Sequence, residues 1–393
     1  MEYTTVKGYI SVDEIEIKTG PFGTQLKACD YRPTGTPVLN VRNLGFSDIR
    51  TDKLEYVGQD TKERLSSHLL APGDIVFGRK GAVERHSYIS EDEKGWMQGS
   101  DCIRLRVKTE TINPRFLSYY FLTKAHQNYM LSACSHGTTM ASLNQGILEQ
   151  VRFPLLPRET QDKIVDILSA IDSKIKTNKK INDNLLSQAQ AIFDYSYQVA
   201  DFQQPFTSLI HVLGGGTPKT GEAEFWNGRI PFFTPKDVGR PYAFKTEKTI
   251  TEAGLEHCNS RLFPKNTTFV TARGTVGKVS LAGRPMAMNQ SCYALASDLI
   301  DPILVYFYAL RAVNSLKHKA SGAVFDAIVT RDFDTETISV ISETESSRLL
   351  SLITPMMSAI HANAEENLRL ASLRDSLLPK LMTGEIDVSA VSI

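Results

Sequence analysis

Between Glu159 and Tyr197, Ile164, Leu168, Ile171, Ile175, Leu185, Ala189 and Ile192 recur at alternating steps of four and three, with Asn178 and Asn182 on the same line. This heptad spacing predicts a helix packed lengthwise along another helix. A partner lies in the same chain at a constant offset of 185: Leu349, Ile353, Met356, Ile360, Asn363, Asn367, Leu370, Arg374 and Leu377. An antiparallel pairing sets Asn178 opposite Asn367 and Asn182 opposite Asn363, since both pairs sum to 545. Asparagine on an apolar seam costs stability unless its amide is bonded, so such pairs serve to set register. The competing expectation is two unrelated amphipathic helices whose asparagines face solvent.

The repeat extends beyond the helices. Residues 11 to 20 resemble Thr207 to Gly216, each run ending in glycine. Thr36 to Leu44 has its counterpart in Arg229 to Val238, a short apolar strand leading into polar and basic residues. Leu70 to Val83 parallels Leu262 to Gly277, where the apolar run predicts a strand and the Arg/Lys-Gly tip the turn after it. Gly99-Ser100-Asp101-Cys102 answers Asn289-Gln290-Ser291-Cys292. An aromatic-rich helix is predicted over Pro114 to Leu131 and again over Pro302 to Leu316, followed by Gly137-Thr138-Thr139-Met140 against Gly322-Ala323-Val324-Phe325. The first long helix leaves its globule through Pro154-Leu155-Leu156-Pro157, and the second starts with the capping-box pattern Ser342-Glu343-Thr344-Glu345. One duplication of an α+β plan, with pseudo-twofold symmetry, accounts for all of this.

Composition narrows the class. The 393 residues suffice for two cores, and 44 basic residues balance 44 acidic ones, so net charge neither announces nor excludes a nucleic-acid partner. Five cysteines are scattered and never form C-x-x-C, against both a disulfide framework and a zinc ribbon. The N-terminus lacks a leader pattern and no apolar run is long enough for a bilayer, so a soluble, cytoplasmic protein without membrane contact is expected.

Candidate chemistry is sparse. Asn113-Pro114-Arg115-Phe116 approaches the Asn-Pro-Pro-aromatic loop of adenine methyltransferases, but Arg115 breaks it and no donor-binding glycine loop precedes it. A helix start is the expectation there. Gly214 to Gly221 lacks phosphate-loop spacing, and reads as a tight turn in which Thr217 and Lys219 can face DNA phosphate. The histidines show neither metal-ligand nor triad spacing. Basic and amide side chains recur at the strand ends, Asn40, Arg42, Asn43, Arg79, Lys80 and Arg85 in the first half, and Thr234, Lys236, Arg273, Lys278, Asn289 and Gln290 in the second, and Thr138 and Thr275 are further DNA-binding candidates. Arg or Lys can bond guanine O6 and N7, and Asn or Gln adenine N6 and N7. The same residues are also ordinary loop chemistry, and both readings stay open on these residues alone.

In its motifs the chain resembles the specificity subunits of type I restriction-modification systems. The resemblance rests on Gly215-Gly216-Thr217-Pro218, Phe225-Trp226-Asn227-Gly228, Pro231 through Asp237, Thr249 through Leu255, Arg273-Gly274-Thr275-Val276-Gly277, Asn289-Gln290 and the closing Leu377 through Ile386, with Pro72 through Val76, Arg79-Lys80-Gly81 and Pro157 leading to Gln161 in the first half. It implies two target-recognition domains (1–157 and 201–341) joined by two long helices (158–200 and 342–393 with the tail) in an antiparallel coiled coil. It further implies a non-catalytic reader of double-stranded DNA, each domain taking one half of an asymmetric bipartite site. The helices would set the spacing and dock two modification subunits, which bind S-adenosylmethionine and methylate adenine N6; this chain itself would hold no cofactor or metal. Restriction subunits join where the system has them. The other readings are a self-contained DNA methyltransferase or nuclease, and a coiled-coil scaffold without nucleic acid.

Overall fold

The computed structural model describes residues 2–135, 141–319 and 327–389. The chain forms two compact units, Met1–Ser173 with Leu370–Ile393, and Lys174–Arg369. Each contains one globule and a portion of both long helices, Arg158–Gln198 and Glu343–Met382.

In the first unit a five-stranded sheet runs Ile15–Thr19, Cys102–Val107, Ile75–Gly78, His86–Tyr88, Phe46–Ser47. Its neighbours are antiparallel except the last pair. The uninterrupted apolar run Ile75-Val76-Phe77 is buried throughout, as a central strand covered on both faces requires. A second sheet pairs Tyr31–Arg32, Glu55–Val57, Thr36–Leu39 and Met97–Gln98. The expected aromatic helix is two helices, Pro114–Phe121 and Lys124–Cys134, because Thr123 interrupts it and caps the second through His126 N at 3.3 Å. Phe116, Leu117 and Phe121 pack on Phe77 and Ile103 in one core, which also takes in Ile164, Leu168, Leu378 and Leu381 of the long helices.

The second unit repeats the five-stranded sheet strand for strand, His211–Gly214, Cys292–Ala296, Thr268–Thr271, Val279–Ala282, Tyr242–Ala243, but its second sheet has three strands, Lys248–Ile250, Trp226–Phe233 and Ala287–Met288. The Pro302–Lys319 helix replaces the helix pair. Its core joins Tyr306, Phe307 and Tyr308 to Ala189, Phe193, Leu349 and Ile353.

The helix ends show why the seam holds. Pro157 leads into a helix whose Gln161 is buried; its amide donates to Thr111 O (3.1 Å) and Leu156 O (2.8 Å) and its Oε1 accepts from Asn113 N (2.9 Å). At the other start Ser342 Oγ caps Glu345 N at 3.3 Å. The reciprocal arm of the expected capping box is not made: the Glu345 carboxylate accepts from Ser196 Oγ (2.7 Å) and is clamped by Arg348. Two seam positions also move by one residue. Phe193 and Met357 are buried, whereas Ile192 and Met356 are only half-buried. At Phe193 the cause is the globule of the second unit, against which the helix must turn: Phe193 stacks on Phe307 with centroids 5.3 Å apart and meets Tyr308 edge-on at 5.2 Å. Burying such a ring is worth roughly 1.5–3 kcal/mol, enough to outweigh a strict heptad.

Candidate nucleic-acid interface

Four loops converge at one edge of each five-stranded sheet, held by the same backbone bonds in both units. In the first, Gly99 N bonds Leu39 O at 3.0 Å and Arg79 N bonds Asp101 O at 2.8 Å. In the second, Asn289 N bonds Phe233 O at 3.0 Å and Ala272 N bonds Ser291 O at 2.8 Å. The first-strand exits complete the frame. A Cβ on Gly20 would lie 2.0 Å from Gly99 O, and one on Gly215 would lie 2.3 Å from Asn289 O, so only glycine fits either crossing. Gly215, not Gly216, is therefore the counterpart of Gly20, which corrects the sequence match by one residue.

These contacts fix which residues are equivalent. Lys80 and Arg273 each bridge to the following segment, at Ser142 and Ala327, and each precedes a glycine with positive φ, Gly81 (78°) and Gly274 (82°). Arg85 and Lys278 occupy one position, before the strands that open at His86 and Val279. Asn40 and Thr234 open matching 3₁₀ turns: Asn40 N bonds Asn43 Oδ1 at 3.1 Å, and Thr234 N bonds Asp237 Oδ2 at 2.8 Å. The third residue of each turn then pairs with an acid, Arg42 with Glu55 at 2.5 Å and Lys236 with Glu247 at 3.2 Å.

The frame thus sorts the candidates. Arg42, Lys80, Lys219, Lys236, Arg273, Thr275, Lys278 and Gln290 are exposed, and Asn40, Arg79, Arg85, Thr217, Thr234 and Asn289 are half-buried at its rim. Thr275 Oγ1 donates to Pro235 O at 3.2 Å, tying the tip to the neighbouring turn. Lys80 lies 3.9 Å from Asp101, and Arg85 is 3.6 Å from Glu84 with its guanidinium over Phe46. Lys278 stands apart from the four-loop junction, on a groove of about 1240 Å³ that it lines with Asp194, Arg240, Arg311 and Lys317. Asn43 does not reach the surface: it is 1% exposed, its amide donates to Arg50 O at 2.9 Å and its oxygen brackets the turn. It is a turn residue, unavailable to a base edge. Thr138 lies outside the described residues.

The catalytic suspects are spent on structure. Asn113 Oδ1 caps Arg115 N (2.8 Å) and Phe116 N (3.4 Å), its Nδ2 donates to Asp162 (2.6 Å), Pro114 opens the helix and Phe116 is buried. Burial pushes the Cys102 and Cys292 thiols up to about 12 and holds His86 and His126 down at about 3. No group of His, Cys, Asp or Glu among the described residues could hold a metal, and no helix there is long and apolar enough to cross a membrane.

A family model described as the type I restriction modification DNA specificity domain matches residues 16–187 and again residues 206–364, one match on each globule. The chain belongs to that family. Among its relatives, the type I restriction enzyme HindI specificity subunit of Haemophilus influenzae is 21% identical, over 80% of this chain and 86% of that one. The type I restriction enzyme MjaIX specificity subunit of Methanocaldococcus jannaschii is 33% identical across 29% of this chain and 28% of its own. A solved S subunit of the M. genitalium type I system has the same fold, with a TM-score of 0.58 at 14% identity over 97% of this chain and 96% of that one.

Sequence reasoning missed Phe22, whose ring carries the Arg79 guanidinium at 4.6 Å. Its only signal is an aromatic set between turn residues, Gly20-Pro21-Phe22-Gly23, where no strand pattern needs it.

Proposed function

We propose that this type I specificity subunit reads DNA through its two four-loop frames, each taking one half of an asymmetric bipartite site. The observation that carries this is that one backbone frame occurs twice with different side chains at its rim: Lys80 against Arg273 and Arg42 against Lys236. Equal frames with unequal side chains suit two different half-sites, and exposed Arg, Lys and Gln are the groups that bond base edges and phosphates. The chain is non-catalytic. Adenine N6 methylation falls to two modification subunits, which bring S-adenosylmethionine and dock on the long helices, and those helices set the gap between half-sites. Restriction subunits join that core where the system has them.

A self-contained methyltransferase is not favoured, because the Asn113 amide it would need is consumed by a helix cap and Asp162.

The test is methylome mapping of the complex assembled with its modification subunits. K80A should impair recognition of one half-site only and R273A the other, by about 1–3 kcal/mol where a base contact is lost. A uniform loss over all sequences would mark phosphate contacts, and an unchanged methylome with both variants would reject this surface. The purified subunit given S-adenosylmethionine and DNA should transfer no methyl group.

A further inference from the structure

The two frames differ most sharply at three equivalent positions. Counting from the glycines at the crossing, Phe22 corresponds to Thr217; from the shared backbone bonds, Arg79 corresponds to Ala272 and Ser100 to Gln290. In the first unit the Arg79 guanidinium lies over the Phe22 ring, which is 46% exposed. The Arg79 Nε is buried without a partner, and among the described residues no hydrogen bond takes the two terminal nitrogens. An aromatic ring holds a guanidinium by its face and uses none of its donors, so it sets the plane while leaving the fork free. In the second unit both members are gone. Ala272 carries no polar group, and the Thr217 hydroxyl instead donates to Gln290 Oε1, at an exposed amide.

These are two different ways of presenting a planar, two-toothed group at one place on the same frame. A free Arg fork fits guanine O6 and N7. A Gln whose oxygen already accepts from Thr217 keeps a second lone pair for adenine N6–H and its Nε2–H for N7. From this geometry we infer that the position is a base-reading post, with Arg79, braced by Phe22, reading a guanine in the first half-site, and Gln290, braced by Thr217, reading an adenine in the second. The inference rests on the DNA-reading function proposed above and assigns the residues that discriminate.

The experiment uses the complex assembled with its modification subunits on a randomised duplex library, sequencing the bound fraction at several salt concentrations. R79K keeps the charge and loses the fork. It should lower the guanine preference at one position of one half-site by about tenfold or more, leaving other positions and the salt slope alone. F22A should weaken the same position and no other, and Q290L should erase an adenine preference in the opposite half-site. Grafting the second post onto the first (F22T, R79A and S100Q together) should turn that position from guanine to adenine. If instead R79A weakens all sequences alike and reduces the salt slope by about one, Arg79 contacts phosphate and the inference fails while the DNA-reading function stands. Unchanged profiles for R79K and Q290L also overturn it. A wild-type complex with no sequence preference at all would strike the underlying reading instead.

Discussion

Asn363 donates its side-chain amide to Asn182 Oδ1 at 2.9 Å, and Asn182 in turn donates to the Ile360 carbonyl at 3.3 Å on the opposing helix. One step along, Asn178 donates to Asn367 Oδ1 at 3.0 Å and to Glu366 at 2.7 Å. Removing one member strands a largely buried polar group. N182A should therefore destabilise by about 1–3 kcal/mol. An apolar pair has no such debt to water, so the double variant N182L/N363L should regain most of the loss. Denaturant melts of the wild type, N182L, N363L and N182L/N363L give the coupling directly. Simple additivity would mean that the asparagines act independently and do not set register as a pair.

Asp74 shows what the Pro-Gly-Asp segment is for. Gly73 takes φ 90°, and Asp74, 1% exposed, accepts from Ala71 N at 2.8 Å and twice from Arg106, each at 2.6 Å. The paired carboxylate raises the Arg106 pKa above its ordinary value, chiefly through these hydrogen bonds. R106A leaves the buried carboxylate alone and should cost about 3–5 kcal/mol, whereas R106M with D74L should cost less than that single change. Chemical denaturation of the isolated subunit measures both.

Acid should loosen the first unit through two histidines. His86, bonded to Ser118 Oγ at 3.0 Å, and His126, whose ring lies 4.6 Å from Phe121, are held at about 3 by burial, against an ordinary value of 6.5. Between those values the unfolded chain binds protons that the folded chain refuses, so stability falls as pH drops below about 6.5. Each histidine should remove about 2 kcal/mol at pH 5 relative to neutrality, by that linkage. H126F should flatten the fall in denaturation midpoint between pH 7 and 5. A profile as steep as the wild type's would show that His126 protonates without unfolding.

The parts legible in the sequence were those in which a residue breaks its own pattern. Asn178, Asn182, Asn363 and Asn367 stood out because amides do not belong on an apolar line; the line fixed which asparagines face each other once the helices run antiparallel, a direction that the family resemblance implied and the offset alone left open. The Ile192 to Phe193 shift was invisible because a heptad describes helix against helix, whereas this stretch also packs on a globule, with Phe307 and Tyr308 beside Phe193. At the rim, residue type alone could not separate Arg42, which stays exposed, from Asn43, which folds inward to close its own turn. Nor could it show that Glu345, drawn as half of a capping box, finds Ser196 on the other long helix. Such choices depend on which donor the fold brings nearest.

The long helices also offer a ruler. Arg158–Gln198 has 41 residues and Glu343–Met382 has 40. At about 1.5 Å per residue, one added heptad lengthens a helix by roughly 10 Å. Placed after Asn182 and matched by a heptad before Asn363, the insertion keeps every seam residue facing its partner, because the pattern repeats in sevens. A single-residue insertion instead rotates the seam by about 100° and should unfold it. If the helices set the gap between half-sites, the heptad variant should read the same two half-sites with about one to three more base pairs between them, since B-DNA advances about 34–36 Å per 10–10.5 base pairs. DNA bending can absorb the remainder. Methylome mapping of a strain carrying the variant with its modification subunits decides the matter: an active complex with an unchanged gap would show that something other than the helices fixes the spacing.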